Sequence, residues 1–376
     1  MIRLIARTRR ARPALLTATL LVGMLAATAC ARITGPQGWA APVALDDTLL
    51  VSTHKGELSA LKRADLAPIW TFPSDDKADE RIKLEALYGR PAVSGDVVYF
   101  GAYDGSVHAL DLATGRPRWA QPFIADGPVI AGVVVDGDSL YVASDDGNLY
   151  VLDTGTGEEK DRFAAGGSIW ATPLLADGIL YVASLNGKLF ALDSDLRNTW
   201  DAPFKAEGGL LSDPVLADGR ILVGGIGRKL YAVDAKSGKP AWDEPFKGGN
   251  WFWGRPLVEG SSVYAPNLDG RLYALNLETG DPLWQKPFQT EPEAPIRSGP
   301  VLAGDVLVVA DREGLVYGLS LDDGSLKWSR PALLNGTVLA DLLVLDAEVL
   351  ISAQGGDLFK LDPTSGSLEA VQAVGR

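Results

Sequence analysis

Short apolar segments separated by turn residues follow one another along the chain after residue 30. In one representative stretch, continuous or alternating apolar runs cover 89–93, 96–103, 105–112 and 116–123, and Gly, Asp or Pro bounds them. Such runs are typical of β-strands, and no sustained 3.6-residue period indicates a helix. Pairs such as Asp-Gly at 104–105 and Asn-Gly at 186–187 favour the positive φ of tight hairpin turns. The pattern therefore predicts an all-β protein built from consecutive hairpins.

The same unit of sequence recurs. The stretch GSVHALDLATGRPRW at 105–119 is nearly repeated as GRLYALNLETGDPLW at 270–284 and as KLYAVDAKSGKPAW at 229–242. A glycine precedes the third strand of each copy, at spacings of 40 to 49 residues: Gly56, Gly105, Gly147, Gly187, Gly227, Gly270, Gly314 and Gly356. Repeats of this length are typical of propeller blades. Because a sheet with two apolar faces must bury both against neighbours, the repeats predict an eight-bladed β-propeller of four-stranded antiparallel blades.

Every repeat contains its own fourth strand. In the last repeat this strand is SLEAVQA at 367–373, which follows the final turn. No blade is then shared between the two ends of the domain, so we expect the seam between the first and eighth blades to be the weakest.

The N-terminus has a different pattern. Residues 1–13 carry five arginines and no acid, and 14–29 form an uncharged, mainly apolar run that ends in small residues. This order is typical of a secretory signal peptide, with an uncleaved membrane anchor as the alternative. Cys30, the only cysteine, follows at the position that resembles the lipidation site of bacterial lipoproteins, although Ala27 stands where such signals prefer Leu. We predict a lipoprotein-type signal at 1–29, a tether at 30–38 and one propeller domain at 39–376.

Charge excludes one class of partner. The chain carries 48 acidic and 35 basic residues, a net charge of −13, which becomes −18 once the five arginines of the signal are removed. An acidic surface repels phosphate backbones, and no basic stripe interleaved with aromatic residues is present. We therefore expect no binding of nucleic acid. We also expect the propeller to be monomeric.

The repeated unit contains the pattern A-x-D-x-x-T-G-x-x-x-W, represented by Ala109, Asp111, Thr114, Gly115 and Trp119. This pattern resembles the tryptophan-docking motif of quinoprotein propellers, the PQQ-like repeat family, over residues 39–373. The resemblance implies that each Trp packs onto the next blade while the Asp and Thr brace the turn. Asp161 and Ala370 replace the Trp in the third and eighth repeats. The structural set is then Trp70, Trp119, Trp200, Trp242, Trp284 and Trp328.

The family resemblance also raises an enzymatic alternative, a dehydrogenase dependent on pyrroloquinoline quinone and calcium. Such enzymes are larger and usually carry a vicinal cysteine pair, a calcium-binding carboxylate cluster and an aspartate base. Here Cys30 is the only cysteine, and the two histidines, His54 and His108, suggest no metal-ligand or Ser-His-Asp arrangement. The stretch SDDGN at 144–148 lacks the later Glu of a calcium loop and favours a hairpin turn. We predict no enzyme, with no catalytic residue, no metal and no cofactor.

Two sets of residues that precede the innermost strands do not repeat. The set next to the strand is Ala41, Arg90, Gly132, Thr172, Asp213, Arg255, Gly299 and Asp341. The set two residues earlier is Trp39, Tyr88, Ile130, Trp170, Leu211, Trp253, Arg297 and Leu339. Because innermost strands line the central channel, both sets predict rings near one channel mouth.

Charged and aromatic residues in these rings are not required by blade packing. The strongest departure from the repeat is the stretch GGNWFWGRP at 248–256. Aromatic residues beside Arg are typical of binding surfaces, whereas the alternative is that they plug the channel and stay mostly buried. The candidate partner-binding residues are Trp251, Phe252, Trp253, Arg255, Arg90, Arg297, Trp170, Asp213 and Asp341.

Length, lipoprotein-type signal and repeat count resemble those of family members that assist the assembly of outer-membrane β-barrel proteins. This resemblance implies a non-catalytic scaffold, anchored by lipid to the periplasmic side of the outer membrane, with protein partners in the envelope. Ala31, rather than Asp, after the cysteine favours the outer membrane by the usual sorting rule. The first alternative is a generic cell-surface propeller lipoprotein that binds another protein or a ligand. The second is the quinone-dependent dehydrogenase.

Overall fold

The computed structural model describes residues 38–53, 55–74, 82–354 and 356–373. In these ranges the chain forms eight four-stranded antiparallel sheets, each from consecutive strands. In three pairs of neighbouring sheets the first strands contact one another, and residues preceding all eight first strands line one cavity. The first strands are therefore innermost, and the prediction of an eight-bladed β-propeller is confirmed.

Strands β1–β16 build the first four blades in chain order. Blade one contains Val43–Ala44, Thr48–Ser52, Leu58–Lys62 and Pro68–Phe72. Blade two contains Ala92–Ser94, Val97–Gly101, Ser106–Asp111 and Phe123–Ile124. Blade three contains Val134–Asp136, Ser139–Ala143, Asn148–Asp153 and Glu159–Ala164. Blade four contains Leu174–Ala176, Ile179–Ala183, Lys188–Leu192 and Phe204–Lys205.

Strands β17–β32 build the remaining blades. Blade five contains Val215–Ala217, Arg220–Gly224, Lys229–Asp234 and Phe246–Lys247. Blade six contains Leu257–Glu259, Ser262–Pro266, Arg271–Asn276 and Phe288–Gln289. Blade seven contains Val301–Ala303, Val306–Ala310, Leu315–Leu319 and Ala332–Leu333. Blade eight contains Leu343–Leu345, Glu348–Ser352, Asp357–Asp362 and Ser367–Ala373.

The hydrophobic core lies between the blades. The described residues form eight buried apolar clusters, one at each seam between neighbouring blades. The seam between blades eight and one has the smallest cluster, in which Leu49 and Leu61 of blade one pack near Leu350 and Leu358 of blade eight. The Arg63–Asp346 ion pair joins the same two blades. The ring is therefore closed, and whether this seam is the weakest stays a prediction.

Six tryptophans contact the next blade. The indole N–H of Trp119 donates to the carbonyl oxygen of Thr154 at 2.9 Å, and the equivalent bonds of the set are 2.8–3.0 Å long. All six side chains are buried, with 3–9% of their surface exposed. Gly280 illustrates the contact: its φ is +79°, and a Cβ there would lie 2.7 Å from Cδ2 of Trp242. The turn that receives the indole has no room for a side chain.

The outer edges of the blades differ from the expected strands. Residues 116–123 were predicted to form the fourth strand of blade two. In the structure their pairing with the third strand is reduced to an isolated bridge between Leu110 and Pro117, followed by the two-residue strand β8. In blades three and eight, which lack the tryptophan, the fourth strands have six and seven residues. In blade two the chain leaves the ladder where its Trp bonds to the neighbouring blade, so the fourth strand was predicted too long. Blade one keeps a five-residue strand with Trp70 inside it, at a register shift.

Residues 1–37, which include the predicted signal peptide, Cys30 and most of the tether, lie outside the described residues, as does His54. The described ranges contain no helix that is both long enough and apolar enough to cross a bilayer.

Candidate binding site at the channel mouth

Both predicted rings line a single cavity of about 260 Å³ at one mouth of the channel. The eight residues of the outer ring, from Trp39 to Leu339, form a layer that we call the lid. Seven of the eight residues of the inner ring, which we call the neck, also line this cavity: Ala41, Arg90, Gly132, Thr172, Asp213, Arg255 and Asp341. The structure therefore brings seven of the nine candidate residues to one place, and Trp251 and Phe252 are the exceptions.

The aromatic side chains of the lid contact one another across blades. The ring centroids of Trp39 and Tyr88 are 4.2 Å apart, and those of Trp170 and Trp253 are 6.2 Å apart. The indole N–H of Trp170 also donates to Asp145 at 2.6 Å. These side chains are half-buried, so they cover the channel mouth and still expose part of their surface. The structure thus combines features of the binding surface and of the plug that the sequence left as alternatives.

Arg297 joins the two halves of the lid. Its guanidinium carbon lies 3.9 Å from the ring centroid of Trp39 and 3.8 Å from that of Trp253. Two indoles thus flank one cation, an arrangement that stabilises a poorly solvated guanidinium. Burial lowers the pKa of Arg297 to about 10, with a further lowering from nearby Arg312. The side chain remains a cation at neutral pH.

The neck contains two cations and two carboxylates. Asp213 accepts a hydrogen bond from the backbone N–H of Thr172 at 2.7 Å, and Asp341 accepts one from Gly299 at 2.5 Å. Each bond crosses from one blade to the next, so these carboxylates also connect neighbouring innermost strands. A second cavity of about 400 Å³, lined mainly by apolar residues, shares Arg90, Arg255 and Asp341 with the first. The neck therefore lies between two parts of the channel.

Electrostatic interactions couple the four charged residues of the neck. Burial raises the pKa of Asp213 to about 6, and repulsion from Asp341 adds to the effect. Burial also raises the pKa of Asp341, against the opposing hydrogen bond from Gly299. The pKa of Arg90 is lowered, first by burial and then by repulsion from Arg255. The charge of the neck therefore becomes more positive as the pH falls toward 6.

Arg255 is the second cation of the neck. It lines both cavities and is exposed to the channel, and within the described residues it forms no direct ion pair with either carboxylate.

Phe252 does not belong to the mouth surface. Only 1% of its side chain is exposed, and its ring packs 6.2 Å from that of Phe246 and 6.0 Å from that of Tyr273 in the core between blades five and six. Trp251 is 40% exposed but does not line the cavity. In an extended segment successive side chains point to opposite sides, so the middle aromatic of the Trp-Phe-Trp stretch faces the core. This alternation was a usable signal that the sequence interpretation missed.

Two lid residues outside the candidate set contribute to the site. The ring of Trp39 lies against the guanidinium of Arg297, and the ring of Tyr88 packs against Trp39 at an interplanar angle of 57°. Burial raises the pKa of Tyr88, so its hydroxyl stays protonated near neutral pH. Both were identified as ring positions from the repeat alignment, but the contact of Trp39 with Arg297 of blade seven depends on the closed ring.

His108 is a core residue. Its ring stacks 5.3 Å from Phe100, and its Nε2 lies 2.8 Å from Ser106 Oγ, which in turn donates to Asp104 at 2.6 Å. The serine hydroxyl hydrogen is therefore directed to the carboxylate and not to the imidazole, which is the reverse of the order in a Ser-His-Asp triad. Burial lowers the pKa of His108 to about 4, so the ring is neutral at physiological pH.

The residues at the mouth do not fit a quinone with calcium. Calcium requires several oxygen ligands, usually including carboxylates. Asp213 and Asp341 each direct one oxygen to a backbone N–H, and the described residues contain no cluster of three or more His, Cys, Asp or Glu that could share a metal ion.

These features define the class of the protein as an eight-bladed β-propeller with unrepeated aromatic and charged residues at one channel mouth. The sequence matches the PQQ-like propeller family described as outer membrane protein assembly factor BamB, over residues 26–126, 104–203, 197–332 and 289–370. The chain belongs to this family.

Solved structures share the fold. The crystal structure of BamB from Moraxella catarrhalis has 20% sequence identity and a TM-score of 0.67, and the match covers 85% of this chain and 92% of that chain. The computationally designed protein Ika8 matches with 14% identity and a TM-score of 0.68, over 87% of this chain and 96% of that chain. A comparison with curated proteins found no match.

Proposed function

We propose that this protein is a non-catalytic, lipid-anchored scaffold of the cell envelope that assists the assembly of outer-membrane β-barrel proteins. The observation that carries the proposal is the family match, which extends over nearly the whole propeller and is described by a role in outer-membrane protein assembly. The signal-like N-terminus and Cys30 support an exported lipoprotein.

The channel mouth is the surface that we assign to a protein partner. Trp and Arg are the residues most enriched where truncation weakens protein complexes, and here Trp170, Trp253 and Arg297 lie together with part of their surface exposed. Trp251 exposes a further apolar surface near the same blade entrance. A non-catalytic role needs only such a surface, because no bond is made or broken.

The role in assembly is tested by deleting the gene in its source organism. We expect lower amounts of outer-membrane β-barrel proteins in the membrane fraction, measured by quantitative mass spectrometry, and restoration by the wild-type gene. We also expect the tagged protein to purify with components of the barrel-assembly machinery. Unchanged barrel proteins together with a different co-purifying partner would contradict this role and favour a generic envelope propeller.

The anchor is tested separately. Cys30→Ser should release the protein into the soluble fraction or leave the signal uncleaved, because the thiol is the proposed site of lipid attachment. Fractionation and intact mass distinguish these outcomes from the wild type. A variant of mature size that stays on the membrane would exclude lipidation as the anchor.

The enzymatic alternative is tested with the purified protein. We expect no quinone absorbance after purification and no calcium-dependent dye reduction with alcohols or aldose sugars when the quinone is added. Stoichiometric binding of the quinone would replace the scaffold proposal by the enzymatic one.

A further inference from the structure

Arg297 has two donors without an acceptor in the described part of the protein. Its Nε and Nη2 atoms are buried and have no hydrogen-bond partner. Buried donors of a charged group are nearly always paired, because an unpaired donor loses its bonds to water and gains nothing in return. An acceptor from outside the chain would satisfy this edge of the guanidinium.

The same edge binds a carboxylate elsewhere in this molecule. At the surface, Nε–H of Arg162 donates to Oε1 of Glu159 at 2.6 Å, and Nη2–H donates to Oε2 at 2.7 Å. Two parallel N–H bonds to the two oxygens of one carboxylate are a strong and specific geometry. The free edge of Arg297 presents these two donors in the same planar arrangement.

The lid holds Arg297 in a defined orientation. Trp39 and Trp253 flank the two faces of the guanidinium, at 3.9 and 3.8 Å from its carbon. A side chain ordered in this way has less conformational freedom to lose when it binds a ligand. The adjoining cavity of about 260 Å³ has space for a small group and is smaller than most pockets for drug-sized ligands.

The net charge of the cavity lining is the right size to be neutralised by one bound carboxylate. Its lining contains the three arginines Arg90, Arg255 and Arg297 and the two carboxylates Asp213 and Asp341, which gives +1 when all are ionised. The chain as a whole has a net charge of −13, so this cavity is a local positive region in an acidic protein. A single carboxylate neutralises it, whereas a phosphate dianion would leave excess negative charge near two aspartates.

We propose that Arg297 is the anchor of a carboxylate-binding site in the channel mouth. The bound group belongs either to a small free acid or to an Asp or Glu side chain of a docking protein, and both use the same contacts. Because Nε and Nη2 are covered by the surrounding protein, a carboxylate reaches them only when neighbouring side chains shift. The site does not depend on the proposed role in barrel assembly.

The test uses the purified full propeller and isothermal titration calorimetry at low ionic strength. The probes are acetate, succinate and the peptide Ac-Gly-Gly-Glu-Gly-Gly-NH2, with the Gln version of the peptide and inorganic phosphate as controls. We expect at least one carboxylate probe to bind, and the Gln peptide not to bind. Arg297→Lys keeps the charge but removes the planar edge, so affinity should fall about tenfold or more. Arg197→Lys, at a side chain that is 75% exposed, is the matched control and should bind as the wild type does.

The arms of the test separate the two sources of the carboxylate. Binding of the acids alone assigns a small-molecule site, and binding of the Glu peptide assigns a protein side chain. Absence of binding by every carboxylate probe, phosphate binding as tight as theirs, or equal affinity in Arg297→Lys overturns the proposal.

A second measurement on the wild type covers the case in which Arg297→Lys fails to fold. The side-chain Nε–H resonance of Arg297, assigned by NMR in isotopically labelled protein, should shift on titration with the carboxylate that binds. The Nε–H of Arg162, already bonded to Glu159, is the internal control and should stay unchanged. An unmoved Arg297 resonance at saturating probe overturns the proposal in the same way.

Discussion

The tryptophans of this propeller fall into two groups with opposite surroundings. The six at the blade seams are 3–9% exposed, and each donates its indole N–H to a carbonyl of the next blade. The other four, Trp39, Trp170, Trp251 and Trp253, keep part of their surface accessible. The rings of Trp39, Trp170 and Trp253 line the mouth and contact one another, Tyr88 or Arg297, whereas Trp251 lies outside the cavity. One residue type therefore closes the ring in one place and covers an opening in another.

This difference explains how the repeats should be interpreted. A position that recurs in six of eight blades serves a contact that every such blade must make, so it concerns stability. A position whose residue varies among the blades, as in the lid and neck, is free of that requirement and can serve binding. The following predictions test the distinction, from the largest expected effect to the smallest.

The largest effect is expected at a seam. Trp242→Ala should lower the free energy of unfolding by about 3–5 kcal/mol, because it leaves a cavity between blades five and six and removes the bond to Leu277. Urea denaturation followed by circular dichroism measures the change. A loss below about 1 kcal/mol, the size expected at an ordinary surface position, would contradict the structural role of the seam tryptophans.

The next effect depends on pH and also arises at a seam. The pKa of His108 is lowered to about 4 in the folded protein, whereas an unfolded histidine titrates near 6.5. Between these values the unfolded chain binds the proton first, so the free energy of unfolding falls as the pH drops. We expect His108 to contribute a loss of up to about 3 kcal/mol between pH 7 and 4.

Asp213 in the neck has the opposite sign. Its pKa is raised to about 6 in the folded protein, so the folded chain binds the proton first and gains stability as the pH falls from 6 toward 4. The two effects are separated by urea titrations at both pH values with His108→Gln and Asp213→Asn. The first variant should lose less stability on acidification than the wild type, and the second should lose more. Identical pH dependence in all three proteins would contradict both assignments.

A smaller stability effect is expected at the lid. Trp253→Ala should cost about 1–2 kcal/mol of folding free energy, since the side chain is half-buried and its main stabilising contact is the cation–π interaction with Arg297. Its effect on binding should be larger in comparison, with partner affinity reduced by about 2 kcal/mol or more. Thermal unfolding and a binding assay on the same preparation provide both values. A loss as large as that of Trp242→Ala, with unchanged binding, would instead assign the lid to the core.

The smallest effect is expected at Trp251, which is 40% exposed. Trp251→Ala should change the free energy of unfolding by about 0.5 kcal/mol or less, as at other surface positions. It removes the same atoms as Trp242→Ala, so the pair compares the two environments directly. Equal melting temperatures of these two variants would remove the distinction between the seam tryptophans and an exposed tryptophan outside the seams.

Much of the architecture could be predicted because the repeat presents the same information eight times. The number of blades and the positions of the lid and neck followed from the alignment of glycines and innermost strands. The outer edges could not be predicted in the same way, because the departure of residues 116–123 from the ladder depends on a contact with the next blade. The contact of Arg297 with Trp39 and Trp253 joins blades seven, one and six. No local sequence pattern links Trp39 to Arg297, because the two residues are far apart along the chain. The burial of Phe252, by contrast, could have been predicted from the sequence, because side chains alternate in direction along the Trp-Phe-Trp stretch.

Each blade is a single uninterrupted stretch of chain, and this has a consequence for how the protein can be rearranged. Every seam, including the one between Leu61 and Leu358, is held by side-chain contacts and not by a strand borrowed from the other end of the domain. A circular permutant that opens at another seam and joins the present ends by a linker would therefore keep all eight sheets intact. The order of the blades in the ring therefore does not depend on where the chain starts. Because each blade is encoded by one continuous stretch of sequence, an exchanged blade would bring its own lid and neck residues with it.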